Sequence, residues 1–466
     1  MNFIFHTCCT LLFLWLNAEF ISSGVVEHQL IPSTTVTGKP PHKFDLKSLK
    51  KLQEAVKKLE TENQQQKYDE HYGIKKEQGR TKHKNGKTVP IKERRVGTTP
   101  LIDYQAEYYL VNISLGTPPQ WFLLQPTQFS ADMWVIDAEC EAVSCVGQSD
   151  TYTRRLFYKN QSSTFSSTED DIFLYLYDAN VVQDRLRLGG LTAYQTFALA
   201  YEVDSDFASV EFDGMLGLCD TVATNLEGAS SLLQNLRRLL DNAVYTVWLN
   251  GQQATNDING GQLTFGGFDP AHCESDWTFV PVTNNTQFSH YWEFQISGFA
   301  IGNETKTMDN RRKRPALALI DFPVMLAPPG NVQTIAETAG FTFNEDYYLY
   351  TVDCGIDIST LPDVVLKVGD GRIPITPKQY ILNITAEIDD DYDDSGDEAE
   401  PLSNRKVGNL CFLGFIPYNN WGRGPAWAFG NPFLRNYCVS YGLDTVGRKV
   451  GIARSKTPMN SVSGPA

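Results

Sequence analysis

The chain has 466 residues, of which 42% are hydrophobic and 20% charged, and it carries a formal net charge of −15. This is ordinary globular composition, long enough for two lobes with their own cores, and it excludes a chain that is disordered by default. The charge is unevenly spread: residues 25–100 hold 17 Lys+Arg against 9 Asp+Glu, so the acidity lies in the remainder of the chain.

Met1 to Gly24 has an apolar centre from Leu11 to Leu16 followed by small residues, and reads as a secretory signal peptide without the usual basic start. The apolar run is shorter than the ~20 residues that span a bilayer, and no later stretch is longer, so no membrane span is expected. Two of the nine cysteines, Cys8 and Cys9, fall in this leader; the other seven enter a compartment that permits disulfides. Sequons at Asn112, Asn160, Asn284, Asn303 and Asn383 suit a secreted glycoprotein, Asn112 least because it sits in a strand-like stretch.

Residues 25–100 are basic and polar. Within them Leu46, Leu49, Leu52, Val56 and Leu59 keep helical spacing after Asp45, which predicts one amphipathic helix. Lys92-Glu93-Arg94-Arg95 is a candidate processing site, although a solvated basic linker also accounts for this composition.

From Asp103 the pattern becomes short apolar strands punctuated by glycine and proline, which predicts an all-β fold. Tyr108–Leu115 runs into Gly116-Thr117-Pro118-Pro119-Gln120, and then into the strand, turn and strand of Trp121–Val135. Phe212-Asp213-Gly214-Met215-Leu216-Gly217-Leu218 comes next, with glycines suited to close backbone approach and Asp213 read as structural. Val244–Leu249, Gly260–Asp269, Tyr291–Ile296, Ala318–Met325, Ala426–Tyr437 and Val450–Ala453 complete the series.

Over about Asp103 to Ser455 these segments resemble the pepsin-like aspartic proteases. The resemblance implies a two-lobed all-β fold with a cleft between the lobes. It divides the chain into a signal peptide (1–24), a partly helical basic propeptide (25–100), and lobes at 101–250 and 251–466. It also implies disulfides Cys140–Cys145 and Cys354–Cys411, with Cys273 and Cys438 as a third pair and Cys219 as a buried thiol.

In that family each lobe contributes an aspartate from an Asp-Thr-Gly turn. Counting back from Trp134 puts Thr127 at the first aspartate position, with Gln128 and Phe129 in place of threonine and glycine. The second loop keeps Asp321 but has Phe322, Pro323, Val324 and Met325 where the family has Thr-Gly-Thr-Ser. The resemblance places Ser130, Trp134 and Tyr177 at substrate-binding positions. Tyr177 is matched to the flap tyrosine, here followed by a segment several residues shorter than the family's.

Two carboxylates sharing one proton activate water and protonate the scissile carbonyl. A threonine hydroxyl cannot serve as that base, and losing a general base typically costs ~10²–10⁴ in rate. Phe129 and Pro323 add bulk where water would sit, and Gln128 and Phe322 are expected to lose the hydrogen bonds that the family's threonines exchange between loops. No displaced aspartate rescues the pattern: moving Asp132 into place would reverse the strand's faces, Asp394-Ser395-Gly396 lies in an acidic run without flanking apolar strands, and Asp444-Thr445-Val446-Gly447 lacks glycine after threonine.

There is no phosphate-binding glycine loop, no His-Glu-x-x-His and no metal-like cysteine spacing, so neither a metal nor another cofactor is expected, nor a nucleic-acid partner. The acidic run Glu387–Glu400 and the basic run Arg311–Arg314 read as exposed insertions, the latter also matching a secretory convertase site. The expected protein is a monomeric, secreted or endolysosomal homologue with a disarmed centre, which binds a peptide or protein in its cleft and its own propeptide. A residual protease and a secreted structural or storage glycoprotein are the alternatives. An open cleft favours the binding module, and one filled by Phe129, Phe322 and Met325 favours storage.

Overall fold

A computed structural model describes residues 95–459, apart from 105–107, 150, 220–223, 227, 252–258, 284–290, 303–312, 346, 389–405, 420–424 and 445–446. The expected signal peptide, the helix at Leu46–Leu59, the sequons at Asn284 and Asn303 and most of the acidic run lie outside the described residues.

Among the described residues short strands dominate, in three sheets of thirteen, seven and four strands. The largest sheet joins the two lobes. Its strand Gly97–Tyr104 pairs on one side with Tyr108–Leu115 of the first lobe and on the other with Gly261–Phe265. Gly261–Phe265 pairs with Val244–Leu249, which pairs in turn with the C-terminal strand Tyr437–Gly442. All six residues of Val244–Leu249 are buried, as its unbroken V-Y-T-V-W-L run requires of a strand covered on both faces. Gly97–Tyr104 opens three residues ahead of the expected boundary at 100, so that boundary falls inside a paired strand.

Each lobe then repeats one device. In the first, strands Gln120–Thr127 and Met133–Ile136 flank Gly214–Gly217, parallel on one side and antiparallel on the other. In the second, Arg314–Ala318 and Met325–Ala327 flank Trp427–Phe429 in the same manner. The middle strand must pass against the loop joining the outer two, which leaves no room for side chains. A Cβ at Gly214 would lie 2.1 Å from the Trp134 carbonyl oxygen, and one at Gly430 would lie 2.1 Å from that of Phe322. Glycine is therefore required at both crossings.

Beneath the first crossing Asp213 accepts the Leu123 and Arg155 N–H groups and the Tyr152 hydroxyl, a fully bonded structural carboxylate. Sulfurs are joined at Cys140–Cys145, Cys273–Cys438 and Cys354–Cys411, and Cys219 is a buried free thiol. Among the described residues no helix is long and apolar enough to cross a membrane.

Candidate active site

The two crossings present their loops to each other at the lobe boundary, bringing Thr127 and Asp321 together at the ends of their strands. Both side chains are 2% exposed. The Thr127 hydroxyl accepts the Phe129 N–H at 3.0 Å. Asp321 has no hydrogen-bond partner for either carboxylate oxygen. Its pKa is pushed up to about 7 by burial, against smaller downward pulls from the nearby Thr127 hydroxyl and from its own backbone N–H. That hydroxyl is close enough to act on the carboxylate without forming a well-directed bond to it. Among the described residues the other ionisable groups that sense Asp321 are the buried Tyr245 and Tyr441 phenols, so no cation balances it there.

Across the boundary, Gln128 accepts the Ile320 N–H on its Oε1 at 2.9 Å, and it is completely buried. This corrects the expectation that inter-loop hydrogen bonding is lost: the longer amide spans the gap that a threonine hydroxyl would close. The phenyl ring of Phe322 has no polar atom with which to return such a bond, so the exchange is one-sided. A further bond crosses between the lobes, from Trp292 Nε1 to the Leu218 carbonyl at 2.8 Å, and within the second lobe the Tyr441 hydroxyl donates to the Ala318 carbonyl at 2.8 Å.

Phe129 and Phe322 are 2% and 1% exposed and line one crevice with Leu317, Leu319, Leu326 and Trp427, which retains about 20 Å³. The centre is filled from both lobes. Met325 does not contribute to this filling, because its side chain belongs to the core behind the strand Met325–Ala327.

The remaining candidates are also covered. Ser130 uses its hydroxyl to accept the Asp132 N–H at 2.8 Å. Trp134 packs between the tilted rings of Tyr177 and Phe207, with ring centroids 4.9 Å away in each case, and both Trp134 and Tyr177 are buried. The hairpin that carries Tyr177 turns at Leu174–Leu176, ahead of the tyrosine, with Phe173 opposite Asp178. Tyr177 therefore opens the return strand and lies beneath the tip. Asp132 points away from the centre to hold Thr224 and Asn225, and its pKa is raised by burial.

Sequence reasoning missed Asn431, which follows the Gly430 crossing where the family has aspartate. Its N–H donates to the Phe322 carbonyl at 2.6 Å, while both polar atoms of its side chain are buried without a hydrogen-bond partner. The signal was the substitution itself, Gly430-Asn431 at a Gly-Asp position. Of the sequons, Asn160 and Asn112 are exposed and Asn383 is half-buried. Among the described residues no cluster of His, Cys, Asp or Glu could hold a metal.

Two lobes built on the same crossed-strand device, meeting at a residue pair that includes one aspartate, define a bilobal acid-protease architecture. The family model for the eukaryotic aspartyl protease matches residues 108–392. Aspartic protease 17 of Caenorhabditis elegans is 33% identical over 76% of this chain and 85% of its own length. Gastricsin of Cavia porcellus is 30% identical over 76% of this chain and 81% of its own. The chain belongs to the eukaryotic aspartyl protease family.

Proposed function

We propose that this family member is exported, is proteolytically silent, and serves as a peptide- or protein-binding module. The observation that carries the first part is the buried Asp321 facing Thr127 in place of a second carboxylate, with Phe129 and Phe322, both buried, in the two loops where the family has glycine and threonine. A proton cannot be shared with a hydroxyl as it is between two carboxylates, and the burial of Thr127 and Asp321 keeps a peptide from reaching them. The same filling moves any peptide contact away from the centre, onto the surfaces flanking it. Export is supported by the leader at 1–24, the sequons and the three disulfides.

The filled centre also favours a second reading, a secreted structural or storage glycoprotein. The two separate on whether the purified protein retains a peptide ligand. Cleavage of a mixed peptide library is measured from about pH 3 to 7, with and without residues 25–94, and the same library is passed over immobilised protein. No cleavage with selective retention is expected. Cleavage that disappears in Asp321→Asn overturns the silent reading, and no retention at any pH favours storage.

A further inference from the structure

The seven-stranded sheet of the second lobe carries a basic face on an acidic protein. Four of its strands stand side by side, in the order Gly371–Ile375, Val364–Val368, Phe294–Ile301 and Arg314–Ala318. Together they hold Arg372, Lys367 and Arg314 and no Asp or Glu, in a chain with 55 acidic residues against 40 Lys and Arg. Lys313, next to Arg314, adds a fourth exposed cation, and the two close the basic run noted in the sequence.

Strand register sets these charges in a row. Lys367 and Arg372 are direct cross-strand partners, so their side chains leave the same face. Lys367 also lies opposite Gly298, and the Ser297 hydroxyl donates to the Lys367 carbonyl at 3.3 Å. Arg314 is opposite Ile296, so one residue back along the chain Lys313 comes level with Ser297. The row Arg372, Lys367, Ser297, Lys313 therefore crosses four strands and spans about 14 Å at ~4.8 Å per step. Its cations and Arg314 are exposed, and they form no ion pair among the described residues. Like charges directly opposite each other weaken a strand pair, so the Lys367–Arg372 pair carries a cost that an anion lying across it removes.

We propose that this row binds a sulfated polysaccharide. Sulfate groups along a glycan offer fixed negative charges to Lys and Arg, and its hydroxyls suit the exposed Gln295 on the same face. A single-stranded nucleic acid, another extended polyanion, takes much of its affinity from bases stacked on aromatic rings, and none of the four strands exposes one. The choice of a glycan rests also on the export proposed above, which brings the protein to extracellular polysaccharides. The rest of the acidic body repels a polyanion, which confines contact to this row and makes it weaken with salt.

The test is chemical footprinting of the full chain with and without a heparin-type sulfated oligosaccharide. Lysines are acetylated, arginines are modified with phenylglyoxal, and the peptides are read by mass spectrometry. Modification of Lys313, Arg314, Lys367 and Arg372 should fall at least about threefold at low salt and recover in ~0.5 M salt, with Lys159 of the first lobe unchanged. The variant Lys367→Ala/Arg372→Ala should lose the protection of Lys313 while its thermal midpoint holds or rises, since a repulsion is removed; Lys367→Arg should keep the protection. Protection confined to lysines before residue 95, or protection of Lys313 that persists in the double variant, overturns the proposal. So does equal protection by single-stranded DNA of the same charge. Protection that appears only when residues 389–400 are deleted assigns the row to the chain's own acidic run and overturns it too. None of these readouts depends on peptide cleavage or retention.

Discussion

Asp321 holds a buried carboxyl group with no ion pair to a cation among the described residues, so its proton is part of the fold at acid pH. Its folded pKa of about 7 lies above the ordinary 3.8, so the native state keeps a proton that the unfolded chain has released. The linked stability is therefore full below about pH 4 and declines as pH rises to about 7, by roughly 4 kcal/mol from this group. Urea unfolding at pH 4, 5.5 and 7.5 should trace this decline, and Asp321→Asn should remove this component and be more stable than the parent at pH 7.5. A parent whose stability rises steadily over that range would show that Asp321 ionises freely. On the chemical side, Thr127→Asp alone is expected to yield no measurable cleavage, because Phe129, Phe322 and Pro323 still replace the family's small loop residues beside it. Cleavage should require at least Thr127→Asp with Phe129→Gly, Phe322→Thr and Pro323→Gly together, read as peptide products at pH 3–5.

The crossed strands show which features could be read from the residues. Gly214 and Gly217 are interpretable because close approach admits one residue type, and the structure places backbone atoms within 2.5 Å of where their Cβ atoms would be. Thr127 and Asp321 can be located by counting from Trp134 and along Ala318–Met325, since both turns keep the family's length. The Gln128 bond to Ile320 was not legible, because it depends on how far an amide reaches across a gap that only the packed lobes define. The hairpin tip was not legible either: its register is set by pairing between Ser166–Phe173 and Tyr177–Leu188, and no motif marks it. Two substitutions test the element scale. Gly430→Ala should cost about 3 kcal/mol or more, since its Cβ would meet two carbonyl oxygens, at 2.1 and 2.3 Å. Gly330→Ala, in the helix Pro329–Ala339 with nothing within 4 Å, should be neutral or stabilise by up to about 1 kcal/mol. Equal thermal shifts for the two would contradict the steric argument.

Across the whole molecule, the lobes are bound by more than their contact at the centre. The thirteen-stranded sheet runs through both, and a buried trio ties the first strand to the chain's end: Arg435 donates from Nε to the Tyr109 hydroxyl at 2.8 Å and pairs with Asp103 at 3.4 Å. Cys273–Cys438 closes a sequence separation of 165, against 57 for Cys354–Cys411 and 5 for Cys140–Cys145. In the chain-entropy account these correspond to about 5, 4 and 2 kcal/mol. Replacing each pair by alanine should therefore lower the denaturation midpoint most for Cys273/Cys438 and least for Cys140/Cys145. The inverse order would place the stabilisation in native-state contacts.

The first strand also bears on the proposal that the chain is processed at Lys92–Arg95. Arg95 already donates its N–H to the Leu239 carbonyl and accepts from the Asp241 N–H, and two residues later Gly97 pairs with Phe265. A processing enzyme needs several residues on each side of the scissile bond in extended, unpaired form. Once this sheet has assembled, the Arg95–Val96 bond could be cut only by peeling its first strand away, so a cut there would have to precede closure of the lobes.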